Sequence, residues 1–273
     1  MPAFFVYLTP ENKIGGSVSW RCKIEYSRDN REDMDFYPSN SWKNLPAKST
    51  WDMNGDMGAD IRGGTALFYC QLGGRISTNV MYVRGLNPLE NAVETVFSGQ
   101  PWYALPIAKE ECGYANSTYY QFNETGVLGP NPEDYRDCPN WGSPHGWGLM
   151  QLDGTLPEAQ DLWDWAANVE KGLGHLSDYC RNTAVGWIAQ QEAQQQAEEP
   201  TKPLENEVFT FNGVVVQKGT ARTPTDICTI NAYNGATNWV IYWRNTTTNL
   251  PGEWMVNSNA SVYVNSVCGR VEE

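Results

Sequence analysis

Apolar and polar positions alternate in part at residues 18–26, and the apolar runs at residues 65–70 and 79–84 are further candidates for strands. Alternation with a period of two is typical of strands that bury one face. The pair Gly73–Gly74 marks a turn between two of these stretches. The pattern therefore predicts that residues 1–86 form a β-rich, sandwich-like domain, for which an Ig-like arrangement is one candidate.

The spacing of the apolar residues changes to that of a helix after the pair Asn87–Pro88. Asn is a residue type that caps helices, and Pro suits the first helical turn. A helix is therefore predicted over residues 89–97, and a second from near residue 102 to residue 112. Residues 161–199 are predicted to form one long helix or two.

The C-terminal part combines short strands with helices. The pair Asn212–Gly213 between two apolar runs predicts a β-hairpin over residues 208–216. A short helix with Asp226 near its cap is predicted up to residue 233. Paired strands are predicted at residues 239–243 and 253–256, and an apolar stripe ends the chain at residues 261–267. The predicted fold class is α+β: the N-terminal β domain is followed, at residues 87–273, by a mainly helical domain with β-hairpin insertions.

Charge limits the partners that the chain can bind. It has 273 residues, with 32 acidic and 19 basic side chains, and a net charge of −13. This acidic excess disfavours contact with phosphate backbones, so no nucleic-acid partner is expected. No apolar run reaches the roughly 20 residues of a membrane-spanning helix, so no membrane span is expected. The 12 Trp and 14 Tyr residues include candidates to line a sugar groove, because flat rings pack on the apolar faces of pyranoses.

The seven cysteines do not form a CxxC or a Cys/His zinc spacing, so no metal site and no cofactor are expected. Cys22 and Cys70 both fall in predicted strands, 48 residues apart. They are predicted either to form a bridge across a small sandwich or to be two buried thiols.

Glu111 is the first candidate for catalysis. On a helix it lies one turn beyond Ile107, next to the apolar face. Partial burial raises the pKa of a carboxylic acid because desolvation disfavours its charged form. A proton donor to a glycosidic oxygen needs such a pKa near neutral pH. Taken alone, however, this segment favours the alternative that Glu110 and Glu111 are ordinary surface carboxylates.

Two further segments have residue types suited to a sugar site. In Gly146–Trp147–Gly148–Leu149–Met150–Gln151–Leu152, glycines allow close approach of the backbone to a ligand, and Gln151 can hydrogen-bond with sugar amides and hydroxyls. In Ala232–Tyr233–Asn234–Gly235, Tyr233 lies near a helix end. The alternatives are a simple turn for the first segment and a helix stop, with Asn234 and Gly235 at the C-cap, for the second.

Together, and in this order, these segments resemble the lytic transglycosylase and goose-type lysozyme superfamily, whose catalytic domain is lysozyme-like. The resemblance covers residues 90–268. The matching segments are Glu111–Cys112–Gly113–Tyr114, Gly148–Leu149–Met150–Gln151, residues 168–172 from Asn168 to Gly172, Ala232–Tyr233–Asn234–Gly235, and Tyr263–Val264–Asn265–Ser266–Val267.

The resemblance implies cleavage of the β-1,4 bond between N-acetylmuramic acid and N-acetylglucosamine in peptidoglycan glycan strands. Glu111 would be the catalytic general acid and base, and Tyr233 would hydrogen-bond near it. In a transglycosylase one carboxyl group suffices, because the acetamido and 6-hydroxyl groups of the substrate complete the reaction and leave a 1,6-anhydro end. The substrate-binding residues implied are Gly148, Met150, Gln151, Tyr233 and Asn234.

The sequence departs from the pattern of this superfamily in three places. Cys112 stands where a Ser is usual, and the spacing from Ser143 to Gly148 is one residue shorter than usual. Residues 207–217 and 239–256 look like insertions. These departures bear on the substrate and the product more than on the fold.

Three other functions are compatible with the same residues. A hydrolytic muramidase needs a second carboxylate to activate water, about 6.5–9.5 Å away when it inverts, and Asp134, Asp137 and Asp153 are the candidates. A wall amidase would pair Cys112 with His145 as nucleophile and base, although Cys112 does not open a helix as an activated thiol often does. The third is a non-catalytic wall-binding protein that kept the fold.

The implied place of action is the bacterial cell wall, in the periplasm or outside the cell. Residues 1–9 show neither a basic n-region nor a small-residue cleavage site. Release through a phage lysis system or a secretion apparatus is therefore expected. A delivery or wall partner is expected to bind through the N-terminal domain.

Overall fold

The fold is mixed α+β, as the pattern of apolar residues predicted. Its strands form small antiparallel sheets, and its helices lie mostly in the second half of the chain. The computed structural model describes residues 5–7, 17–28, 31–37, 42–46, 50–52, 61–123, 137–142, 145–153, 157–235, 237–247 and 250–272.

The chain divides into two compact units. The described residues of the first unit fall within 1–87, 121–148 and 152–168, and those of the second within 88–120, 149–151 and 169–273. The strands are β1 Phe5–Tyr7, β2 Ser17–Arg28, β3 Arg31–Tyr37, β4 Lys43–Pro46, β5 Thr50–Asp52, β6 Gly64–Leu72, β7 Arg75–Val83, β8 Trp141–Gly142, β9 Gly146–Trp147, β10 Val208–Phe211, β11 Val214–Gln217, β12 Ile241–Arg244 and β13 Glu253–Val256. The helices are α1 Glu90–Phe97, α2 Ala104–Glu111, α3 Ala159–Trp163, α4 Trp165–His175, α5 Arg181–Glu198, α6 Pro224–Tyr233 and α7 Ser261–Gly269, with a π-helical turn at Leu176–Cys180 and a 3₁₀ turn at Leu204–Asn206.

The main sheet of the first unit is antiparallel, in the order β3-β2-β6-β7, and β4 also pairs with β2. Along β2 every second side chain between residues 18 and 26 is buried, which confirms the strand that alternation predicted there. The inward-facing side chains of β2 and β6 form one apolar cluster because they lie on the same face of adjacent strands. Its buried members are Val18, Trp20, Cys22, Ile24, Ala66 and Phe68.

The cysteines are thiols, and the bridge considered across a sandwich is absent. Every cysteine lies in the described part of the chain, and none is in a disulfide. The register pairs Trp20 with Cys70 and Cys22 with Phe68. Cys22 and Cys70 are therefore diagonal neighbours on one sheet, not residues facing each other from two sheets. Cys22 is fully buried and Cys70 half-buried in the same apolar cluster.

Two helix boundaries differ from the prediction. Helix α1 begins at Glu90 with Leu89 as its N-cap, so Asn87 does not cap it. The side chain of Asn87 instead accepts a hydrogen bond of 2.7 Å from the backbone N–H of Phe122. The long apolar period from residue 161 is divided among α3, α4, the π-helical turn and α5. Asp164, in an extended conformation, separates α3 from α4, and the hydrogen-bond register of the backbone changes within the π-helical turn.

The C-terminal predictions are confirmed. Strands β10 and β11 pair around Asn212 and Gly213, which both have positive φ as a tight hairpin requires. Strands β12 and β13 pair antiparallel. Helix α6 starts with Thr223 as N-cap, and Asp226 completes a capping box with it. Among the described residues, no helix combines the length and the apolar composition needed to cross a bilayer.

Candidate active site

Glu111 lies in the last turn of α2 because the helix is stopped directly after it. The backbone N–H of Gly113 donates to the carbonyl of Glu110 at 3.2 Å, and that of Tyr114 donates to the carbonyl of Lys109 at 2.9 Å. These two bonds form a Schellman motif, in which the residue after the C-cap adopts a left-handed conformation. Gly113 has φ of +68°, which a glycine adopts without steric cost. The glycine of Glu111–Cys112–Gly113–Tyr114 thus has a local structural role.

The carboxyl group of Glu111 is largely enclosed and makes a hydrogen bond with a tyrosine. The hydroxyl of Tyr263, on α7, donates to Oε1 of Glu111. Burial raises the pKa of Glu111 from 4.5 to about 7, because desolvation disfavours the carboxylate; the hydrogen bond from Tyr263 acts in the opposite direction, and the nearby charge of Glu110 adds to the rise. Glu111 therefore exchanges a proton near neutral pH.

Glu110, its neighbour, is held by different partners. Ser266 Oγ donates to Oε1 of Glu110 at 2.5 Å, and Arg270 Nε lies 3.1 Å from Oε2 as an ion pair. Tyr263 and Ser266 of α7 and Arg270 at its C-cap follow one another at spacings of three and four residues, so they face α2 from the same side. The two adjacent carboxyl groups thus differ in chemistry: Glu110 forms a salt bridge, and Glu111 receives a neutral hydrogen-bond donor.

Tyr233 lies at the end of α6, close enough for the charge of Glu111 to affect it. Burial, and then the charge of Glu111, raise the pKa of Tyr233 well above its ordinary value. Its hydroxyl donates to the backbone carbonyl of Met150 at 2.7 Å. Met150 is fully buried, and a Cβ on Gly172 would lie 2.6 Å from the Met150 Cβ. The Met150 backbone is therefore held between α6 and α4.

Gln151 and Asn234 take up turn positions in the second unit. Gln151 is half-buried with φ of +45°, a conformation uncommon for a residue with a side chain and frequent at functional sites. Asn234 is the exposed C-cap of α6, and Gly235 follows it with φ of +68°. This ending confirms the predicted helix stop.

Gly148 belongs to the first unit, where it packs against buried amides. It has φ of +73°, and a Cβ added to it would lie 2.3 Å from Asn168 Nδ2 and 2.7 Å from Gln121 Nε2. The same Asn168 amide donates to the carbonyls of Trp147 at 3.0 Å and Asp161 at 3.1 Å. The structure thus brings together Gly148 and Asn168, which come from two separate matching segments, and close packing alone accounts for the glycine.

Cys112 is buried at the C-cap of α2, and burial raises the pKa of its thiol to about 11. A thiol with that pKa is almost entirely protonated at neutral pH, so it is a weak nucleophile. His145, its proposed base, is an exposed residue of the first unit. The raised pKa of the Cys112 thiol weighs against a cysteine amidase.

The structure describes two of the three candidate second carboxylates of a hydrolase. Asp137 and Asp153 belong to the first unit, whereas Glu111 belongs to the second. Asp134 lies outside the described residues. In the described part of the chain, no three His, Cys, Asp or Glu side chains are grouped in a way that could hold a metal ion.

Glu111, Tyr263, Tyr233 and His175 form what we call the Glu111 cluster. The sequence did not single out two of them, Tyr263 and His175. Tyr263 had been quoted only as the start of a matching segment, and its bond to Glu111 depends on the packing of α7 against α2. His175 lies 5.8 Å from the Tyr233 ring and 5.2 Å from Tyr179, ring centre to ring centre, and burial lowers its pKa. The only sequence feature that could have pointed to His175 is that it is one of two histidines in the chain.

Comparisons of the chain with protein-family models, with curated proteins and with solved structures each found no match. The assignment of a function therefore depends on the chemistry of the Glu111 cluster and on the order of the sequence motifs.

Proposed function

We propose that this protein cleaves the β-1,4 glycosidic bond between N-acetylmuramic acid and N-acetylglucosamine in peptidoglycan, as a lytic transglycosylase. In this proposal residues 87–273 are a lysozyme-like catalytic domain, residues 1–86 are a β-sandwich-like domain, and the protein acts at the bacterial cell wall. The observation that carries the proposal is the Glu111 carboxyl group, whose pKa is raised to about 7 where α2 meets α7.

The proton chemistry follows from that pKa. Near pH 7 about half of the Glu111 side chains are protonated, so the group can donate a proton and recover one. As the glycosidic C–O bond breaks, the leaving oxygen takes the proton of Glu111. The 6-hydroxyl oxygen of the muramic acid then bonds to its own anomeric carbon, and Glu111 takes the hydroxyl proton. No water is consumed, and ring closure is favoured because it is intramolecular.

The surrounding tyrosines have distinct roles in this mechanism. Tyr263 donates to Oε1 of Glu111, which leaves Oε2 to carry the transferred proton. Burial raises the pKa of Tyr263 well above its ordinary value, so it remains a donor throughout the cycle. Tyr233 fixes the Met150 backbone at 2.7 Å beside the glycan subsite that Gln151 and Asn234 are proposed to line.

Two competing functions would use the same residues differently. An amidase would need a Cys112 thiolate, which a pKa of about 11 disfavours. A muramidase would use the same Glu111 but would need a carboxylate to activate water. The two glycosidases differ in product: a transglycosylase leaves 1,6-anhydromuramic ends, whereas a muramidase leaves reducing ends.

A turbidity assay on purified walls tests the assignment of Glu111. Glu111→Gln keeps the size of the side chain and its ability to accept from Tyr263 but removes the proton, so clearing should fall at least a hundredfold, in line with the roughly 10²–10⁴-fold contribution of general acid–base catalysis. Glu110→Gln is the matched control and should retain most activity. If clearing survives in Glu111→Gln and is lost in Glu110→Gln, Glu110 and not Glu111 is the catalytic carboxyl group, and the assignment is wrong.

A further inference from the structure

An open groove of about 640 Å³ lies in the second unit, between α5, β12 and the segments that flank β12. That volume is within the range of small-molecule sites, roughly 300–1,000 Å³. None of its lining residues in the described part of the chain belongs to the Glu111 cluster. Its lining residues include Trp187, Gln191, Gln194, Trp239, Tyr242 and Arg244.

Partly exposed aromatic rings form one part of the groove. Trp187 and Trp239 stack with ring centres 5.3 Å apart and planes only 10° from parallel. The Trp187 ring is fixed because its Nε1–H donates to the carbonyl of Ile241 at 2.8 Å. Both tryptophans and Tyr242 are half-buried, so part of each ring remains accessible. Flat, fixed rings of this kind offer large contact area at low entropic cost to an apolar ligand face.

The polar part of the groove consists mostly of carboxamides. Half of the described lining residues are Gln or Asn, and none is Asp or Glu. The one charged side chain, Arg244, forms an ion pair with Glu253 at 2.6 Å. In a chain with a net charge of −13, a lining without carboxylates favours an uncharged ligand. Carboxamides both donate and accept hydrogen bonds, as hydroxyl and acetamido groups do.

Hydrogen bonds between α5 and the β12–β13 hairpin hold the groove in shape. The backbone N–H of Trp243 donates to Gln191 Oε1 at 2.8 Å. Glu198 Oε2 accepts from Trp243 Nε1 at 3.1 Å and from the backbone N–H of Thr246 at 2.9 Å. These hydrogen bonds hold the backbone and ring of Trp243 in place without a ligand, and a preorganised site loses less entropy on binding.

We propose that this groove is a binding site for an uncharged oligosaccharide of N-acetylhexosamines. The stacked tryptophans provide the surface for the apolar face of a pyranose ring, and the carboxamides pair with its acetamido and hydroxyl groups. The site goes beyond the proposed cleavage, because it needs no proton transfer and uses other residues. It would hold a glycan chain whether or not Glu111 cleaves it.

Titration calorimetry with chitotetraose, the tetramer of N-acetylglucosamine, tests this site. The full chain carries Glu111→Gln so that the probe is not cleaved. Adding Trp239→Ala should weaken binding at least tenfold, or abolish one of two sites. Gln194→Ala should weaken it severalfold, whereas Gln196→Ala, an exposed glutamine of the same helix outside the groove, should leave it unchanged.

Gln194 is exposed on α5, but its Oε1 accepts from Gln191 Nε2 at 3.2 Å, so melting curves check both Gln194→Ala and Trp239→Ala. Absence of chitotetraose binding, or equal affinity and stoichiometry in all variants, would overturn the proposal. The failure of the cleavage proposal has a different signature, since a wild-type protein that clears no walls can still bind chitotetraose through Trp239.

Discussion

The raised pKa of Glu111 predicts that the contribution of this side chain to stability falls as the pH rises, and that Glu111→Gln removes this contribution. The folded state binds the Glu111 proton more tightly than the unfolded state does. Its contribution to stability is therefore complete below the unfolded pKa of about 4.5 and is lost as the pH rises through the folded pKa of about 7.

The size of the effect follows from the two pKa values. They differ by about 2.5 pH units, and each unit corresponds to about 1.36 kcal/mol, so the whole effect is on the order of 3 kcal/mol. Most of it, about 2–3 kcal/mol, falls between pH 5 and pH 8. Stabilities of domains are typically about 5–15 kcal/mol, so a change of this size is measurable.

Urea unfolding at pH 5 and pH 8 measures it. For the wild type, the free energy of unfolding should fall by about 2–3 kcal/mol more over this range than for Glu111→Gln. Comparing the slopes removes any constant effect of the substitution on the bond to Tyr263. Glu110→Gln is the control, and it should keep most of the wild-type slope because it retains the Glu111 carboxyl. Equal slopes in the wild type and Glu111→Gln would refute the reasoning.

Three further predictions concern activity. The rate of wall cleavage should fall as the pH rises above about 7, because the acid form of Glu111 is lost; a pH–rate profile without that limb would contradict it. Tyr263→Phe should move the limb to higher pH, since it removes the hydrogen bond that favours the carboxylate, and an unmoved limb would show that the bond does not act on the catalytic group. Cys112→Ser should retain clearing, and iodoacetamide should not inactivate the wild type; loss of activity in both tests would favour a cysteine amidase.

The parts of the fold that could be predicted from the sequence are those fixed by local chemistry. The hairpin at Asn212–Gly213 depends on two residues that tolerate positive φ, and the start of α6 depends on the capping box of Thr223 and Asp226. Asn87 shows the limit. Asn is a residue type that caps helices, but the side-chain oxygen of Asn87 accepts a hydrogen bond from the backbone N–H of Phe122, 35 residues later.

The candidate site shows the same division between local and distant causes. The pattern around α2 placed Glu111 at the edge of an apolar face, but alone it favoured an ordinary surface carboxylate. Its burial depends on tertiary packing, and its hydrogen bond comes from Tyr263, 152 residues later. For Cys22 and Cys70 both strands were predicted, but the choice between a bridge and two thiols stayed open, because the register that places them side by side is not local information.

Mass spectrometry of the products released from purified peptidoglycan tests the central claim most directly. The account predicts that the wild type releases fragments with 1,6-anhydromuramic ends, one water lighter than hydrolytic products, and that Glu111→Gln releases none. Fragments with only reducing muramic ends would contradict the transglycosylase assignment and indicate a muramidase. Release of the same fragments by Glu111→Gln, or of none by the wild type, would contradict the catalytic role of Glu111 itself.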